Sequence, residues 1–221
     1  MIQRRFRRDY AGEFIILETR FVAGEKQQTR EWIDNPITNQ HISKRAAVVG
    51  SDVDIDRFDY SILQRHRGSL HGKKKLQTYG TGETWQRMTF DFFVTADETQ
   101  LSNITESNYD EQAVVYSTAK HCIRHPGHFY LVPYTPYLDQ LALAVYLAAF
   151  DGHEEIFLLG YNQVTPAPGR LWTEHVDHVI RAYNTTKFYL VGTESNMPKL
   201  WRQNRNVECM DYRRFVTYCD V

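Results

Sequence analysis

Short apolar runs alternate with helix-like stretches along most of this chain. The runs are AAVVG (46–50), KLQTYG (75–80), DFFVTA (91–96), AVVYST (113–118), FYLVPY (129–134), EIFLLGYN (155–162), FYLVG (188–192) and VECMDY (207–212). Several are apolar at consecutive positions, so both faces of the resulting strand must be covered. A parallel sheet with helices on either side meets that condition. Between the runs, FDYSILQRH (58–66), LDQLALAVYLAAFDG (138–152), TEHVDHVIRAYN (173–184) and MPKLWRQN (197–204) read as helices. The second is the strongest, with Leu141, Val145 and Ala148 along one stripe, alanines for close packing and Gly152 where a C-cap is due. Strand and helix in alternation predict a Rossmann-like α/β domain, a mostly parallel sheet of about six or seven strands flanked by helices.

The N-terminal part follows a different pattern. EFIILETRF and QQTREWI read as two strands joined by VAGEK, where Gly24 supplies the positive φ of a turn. The Asn-rich stretch DNPITNQHISKR, interrupted by Pro36, then acts as a connector. Residues 1–45 are therefore expected to form a β-hairpin extension and residues 46–221 the α/β domain. A chain of 221 residues supports one sizeable core.

Composition narrows the function classes. Hydrophobic residues at 42% and charged residues at 24% are ordinary for a globular protein and argue against disorder. A formal net charge of −1 argues against a surface built for nucleic acid. The clusters Arg4, Arg5, Arg7, Arg8 and Arg65, His66, Arg67, Lys73, Lys74, Lys75 read as solvated faces or local phosphate contacts. No apolar run has the length of a membrane span, and MIQRRFRRDY lacks the apolar stretch of a signal peptide, so a cytoplasmic protein is expected, with no membrane partner. Cys122, Cys209 and Cys219 show neither disulfide pairing nor zinc-ligand spacing and read as reduced thiols. The sequons at Asn103 and Asn184 matter only in a glycosylating compartment.

In an open parallel sheet, ligands bind beyond the carboxyl ends of the strands where strand order reverses. That rule selects loops first. In VVGSDVDIDRFDYSIL, Gly50 permits close backbone approach, Ser51 offers a hydroxyl and the next helix offers free N–H groups. The same loop also reads as a turn and helix cap; Asp52, Asp54 and Asp56 suit a divalent ion less well, because the later Gly and Glu of a calcium loop are missing. In TYGTGETWQ, Gly80, Thr81, Gly82 and Thr84 can wrap a nucleotide with Trp85 as a stacking face, or form a tight turn around a core tryptophan. In VPYTPYLDQ, Thr135 is placed to cap a helix, beside Tyr134, Tyr137 and Asp139. In LLGYNQVTPAPGRLWTEHVDH, Tyr161 and Asn162 close a strand, and His175 and His178 lie one helical turn apart. One of the two can serve as a general base, or both can be surface or packing residues. Their spacing is not that of a zinc motif. No P-loop, nucleophile elbow, kinase set or Cys/His pairing is present.

Two segments resemble the bacterial sialyltransferase-like glycosyltransferases. In that family a Rossmann-type strand leads through a Gly-Asn-Gly loop into an "ID-Y-S-L" helix start, which here reads AAVVGSDVDIDRFDYSIL. A later Ala/Leu-rich helix leads through "GY-K-E-I" into a strand ending in Gly, here LALAVYLAAFDGHEEIFLLGYN. The resemblance covers about a third of the chain, and the glycine loop is reduced to Gly50-Ser51-Asp52. It implies a nucleotide-sugar donor as substrate, with no separate cofactor. It places the nucleotide at Gly50 and Ser51 and the departing phosphate near Tyr161 or Asn162. The histidine base such enzymes use is matched here by general position and no motif, at His175 or His178, while Gly80, Thr81 and Gly82 remain nucleotide candidates from their strand-end loop alone. A general likeness to conserved proteins of tailed bacteriophages, carried by no motif, goes with a second reading. In it a non-catalytic virion or complex component uses the hairpin and its many aromatics for homo-oligomer or partner contacts.

Overall fold

The computed structural model describes residues 13–34, 43–50, 58–66, 76–133, 137–162 and 171–220. Its strands are β1 (Glu13–Val22), β2 (Glu25–Asp34), β3 (Arg45–Val49), β4 (Gln77–Thr81), β5 (Phe92–Val94), β6 (Val114–Ser117), β7 (Tyr130–Leu131), β8 (Glu155–Leu159), β9 (Lys187–Val191) and β10 (Val207–Met210). The helices are α1 (Ser61–His66), α2 (Glu98–Glu106), α3 (Ala119–Arg124), α4 (Gln140–Phe150), α5 (Trp172–Ala182) and α6 (Tyr212–Asp220).

The sheet order is β10-β9-β8-β3-β4-β5-β6-β7-β1-β2. The strands from β3 to β10 pair in parallel, so the parallel part has eight strands, one for each apolar run and more than the six or seven expected of the sheet. The hairpin of β1 and β2 pairs antiparallel along its full length, and among the described residues it pairs with the rest of the sheet where Glu13 and Phe14 face Leu131 and Tyr130 of β7.

Consecutive residues of each central strand serve opposite faces, which is why the runs are apolar throughout. Ala46, Val48, Ile156, Leu158, Phe188 and Leu190 pack with α4, α5 and Trp201. Ala47, Val49, Phe157, Leu159, Tyr189 and Val191 pack with Leu63 of α1, Leu101 and Ile104 of α2, Cys122 of α3 and Phe215 of α6. The result is three layers, helix on sheet on helix.

Helix α4 departs from the single apolar stripe read in its sequence, because every residue from Ala142 to Phe150 is buried. The alanines make this possible by bringing the helix close to β4, β5 and α5. The helix ends at Asp151, with Gly152 just beyond it at φ 85°, as a left-handed C-terminal residue requires. The stretch 197–204 is not an α-helix but one 3-10 turn at Trp201–Gln203. It is fixed by Trp201, which is fully buried, stacks edge-on against Trp172 at 5.8 Å and donates its indole N–H to the Thr173 carbonyl at 2.9 Å. Among the described residues no helix is long and apolar enough to cross a membrane.

Candidate functional site

The strand order reverses between β3 and β8. From β3 the chain proceeds outward through β4, β5, β6 and β7, then returns to β3's other side with β8. The carboxyl ends of these two strands are Gly50 and the Gly160-Tyr161-Asn162 segment, and the rule for open α/β sheets puts a ligand there.

Close contacts bind these ends to the first turn of α4. The Gly50 N–H donates to the Leu159 carbonyl at 2.8 Å. A Cβ at position 50 would lie 2.9 Å from the Gly160 carbonyl oxygen, 3.0 Å from the Tyr161 ring and 3.1 Å from the Leu141 side chain. Gly50 is thus required by its own neighbours, whatever else it meets. Tyr161 is fully buried, with its ring edge-on to Trp172 at 6.0 Å, and its hydroxyl donates to the Leu141 carbonyl at 2.9 Å. Burial, and after it the Asp139 carboxylate, hold that phenol well above its ordinary pKa. Tyr161 is therefore a neutral strut under α4.

Asp139 caps α4, its carboxylate accepting from the Leu141 N–H at 3.0 Å. The backbone N–H of the same Asp139 donates to His175 Nδ1 at 2.9 Å. A nitrogen that accepts carries no proton, so the neutral His175 ring has its proton on Nε2. His175 is half-buried, whereas His178, three residues further along α5, is exposed. The capping carboxylate also occupies the helix N-terminus that a phosphate would otherwise use.

One strand further along, the Thr81 hydroxyl lies 3.5 Å from the Gln140 carbonyl, so the end of β4 reaches the same turn of α4. Gly80 leaves room for a side chain of the protein itself, since a Cβ there would come within 2.4 Å of the Phe90 ring. Gly82 opens a 3-10 turn at φ 66°, and Trp85 within that turn packs edge-on to Tyr109. The Gln140 amide donates to Thr95 Oγ1 and Gln100 Oε1, both at 3.0 Å, and the Gln100 amide donates to Glu83 at 2.9 Å. At the far side, the Asn162 side chain occupies the space a Cβ of Gly192 would need, 2.6 Å from its Oδ1.

Of the residues nominated from sequence, Gly50, Tyr161 and Thr81 lie at strand ends that touch the first turn of α4, His175 on α5 meets the cap of that helix, and Asn162 lies at the far side against Gly192. Gly80 and Gly82 flank Thr81, and His178 lies on the solvent side of α5. Ser51, with the three aspartates after it, and Thr135 lie outside the described residues. Sequence reading gave Asp139 no role of its own. Its capping position before an apolar helix was visible, but its partner His175 is 36 residues away and belongs to another helix. Among the described residues no group of three or more His, Cys, Asp or Glu side chains is placed to hold a metal ion.

No family model matches the chain, and no curated protein matches it. Among solved structures it is similar to the sialyltransferase CstII. One match is a mutant of that alpha-2,3/8-sialyltransferase, at 10% identity and TM-score 0.43 over 66% of this chain and 81% of the other. A second is the Campylobacter jejuni enzyme in complex with a substrate analogue, cytidine-5'-monophosphate, at 10% identity and TM-score 0.41 over 75% and 88%. A third holds a trisaccharide acceptor and CMP, at 10% identity and TM-score 0.42 over 66% and 80%. At these scores the likeness carries no argument about the site.

Proposed function

We propose that this protein binds a nucleotide, in the form of a nucleotide sugar, at the reversal point between β3 and β8 and acts as a glycosyltransferase-like enzyme. The observation that carries the reading is His175. It stands beside the strand ends where an open α/β sheet takes its ligand, and a backbone N–H orients its ring so that Nε2–H is a donor. A donor at that position suits a phosphate oxygen gaining charge as the bond from the anomeric carbon to the nucleotide breaks and the acceptor oxygen bonds to that carbon. In this reading His175 stabilises the leaving group and the acceptor's proton passes to solvent water, a change from the histidine base that the resembled family uses.

The test is a thermal-shift series with nucleoside mono- and diphosphates and nucleotide sugars on the full chain. A ligand present at a hundred times its Kd stabilises the folded state by about 2.7 kcal/mol, or about 5–10 °C in Tm for a chain of this size. His175→Ala should remove most of that shift and His178→Ala should retain it. No shift with any ligand at millimolar concentration rejects the reading. Gly50→Val is a poor probe, because the new side chain collides with Gly160 and Tyr161 before any ligand is considered.

A second reading, an assembly protein, is favoured by one observation. The tip of the hairpin, with Phe21 73% and Val22 50% exposed, offers apolar surface far from the core.

A further inference from the structure

At the opposite end of the sheet, beside the amino ends of β9 and β10, lies a cleft of about 580 Å³, within the size range of small-molecule sites. We propose that this cleft binds a small phosphate monoester, independently of the nucleotide site.

Three cations reach it from three pieces of chain: Arg181 from the last turn of α5, Lys187 from the first residue of β9 and Arg205 from the segment leading into β10. The pairing of Phe188 with Val207, and the Phe188 N–H donating to the Asn206 carbonyl at 2.8 Å, set Lys187 and Arg205 at neighbouring strand starts. Two carboxylates are nearby. Asp177 is held by Arg181 Nε at 2.8 Å and by the Asn204 amide at 2.7 Å. Glu208 faces the cleft without an ion pair among the described residues. The Lys187 ammonium and the Arg205 guanidinium make no hydrogen bond or ion pair among the described residues. Arg181, Lys187 and Arg205 against Asp177 and Glu208 leave one positive charge in excess, carried on side chains that are free to close on a ligand.

A helix C-terminus would normally disfavour an anion here. That effect is offset by Asn206, whose Nδ2 donates to the carbonyls of Ile180, Tyr183 and Thr186 at 3.1, 3.3 and 3.0 Å. The remaining wall, Asn184, Thr185 and Gln203, supplies neutral hydrogen-bonding groups for the hydroxyls of an ester. Glu208 in the cleft and the chain's net charge of −1 weigh against a nucleic-acid strand, which needs a continuous basic track.

The experiment is an amide NMR titration of the full chain with glycerol phosphate, inorganic phosphate and a single-stranded oligonucleotide, repeated on the variant carrying Lys187→Gln and Arg205→Gln. Both side chains are exposed, so the variant should keep the parent Tm; if it does not, Arg205→Gln alone carries the comparison. Glycerol phosphate should shift amides 184–189 and 203–208 and leave those of residues 139–141 and 160–162 unmoved. The affinity should fall by about tenfold or more in the variant, as the loss of charge-assisted hydrogen bonds requires. Binding of inorganic phosphate as tight as that of the ester would remove the ester from the proposal. Shifts only with the oligonucleotide, no shift at millimolar ester, or equal affinity in the variant would overturn it. Because the reporting amides differ from those of the nucleotide site, either proposal can fail alone.

Discussion

Tyr79 on β4 is fully buried, with its hydroxyl 2.6 Å from Asp151 Oδ2 and 2.8 Å from His153 Nε2, and His153 Nδ1 is 2.8 Å from the Ser43 carbonyl. A carbonyl oxygen only accepts, so Nδ1 carries a proton, and each of the other two contacts needs one more. Each of these contacts gives a partner to a polar atom that the interior would otherwise leave unsatisfied, which is how the group tolerates burial. Tyr79→Phe removes the oxygen common to two of these contacts. Stability should fall by about 1–3 kcal/mol, read from the urea midpoint near neutral pH. Burial, and after it Asp151, raise the Tyr79 phenol well above its ordinary value. A group whose pKa is raised in the folded state stabilises fully below its unfolded pKa, about 10 for tyrosine, and loses that contribution as pH rises through the folded value. The wild-type protein should therefore lose stability above about pH 10, and the Phe variant should lose it less steeply. Tyr161, raised in the same way, keeps the variant's decline from vanishing.

At the scale of elements, α4 joins the fold to the candidate site, because its cap residue holds Leu141 by its carboxylate and His175 by its backbone. Asp139→Ala should cost about 1 kcal/mol through loss of the cap, measured by urea denaturation. The backbone N–H survives the exchange, so the nucleotide-induced shift in Tm should survive as well. The eight parallel strands were legible because each is a short apolar run, and α4 and α5 because each has helical length and period. Helix α2 was not, since only Leu101 and Ile104 of its nine residues are buried. It starts by virtue of Asp97, whose side chain accepts from the Gln100 N–H, a local signal that a polar stretch hides. Helix α6 has Phe215 and Cys219 one turn apart on its buried side, a pattern too short to separate from a strand. The site was legible only as strand ends. The contacts that assemble it, Gly50 with Leu141, Tyr161 with Leu141 and Asp139 with His175, link positions far apart in sequence.

For the whole molecule the open question is what the hairpin contributes. Its two strands satisfy each other along their full length, yet only two residue pairs join it to β7. A two-stranded ribbon alone is marginal in water, so the hairpin leans on the domain through β7 and α3 more than the domain's parallel sheet leans on it. The chain needed for the buried polar group begins at Ser43, whose carbonyl meets His153. A chain starting at Ser43 should therefore fold on its own, with a Tm within about 4 °C of the full protein, the equivalent of about 1 kcal/mol at this size. Scanning calorimetry decides the point. Failure of the shortened chain to unfold cooperatively would show that the hairpin completes the core and that residues 1–45 are no extension. Sedimentation of both forms separates the remaining cases: a full chain that self-associates and a shortened chain that does not would identify the hairpin, with exposed Phe21 and Val22 at its tip, as an assembly arm. Two monomers would leave the hairpin without an assembly role and strengthen the case for the enzyme.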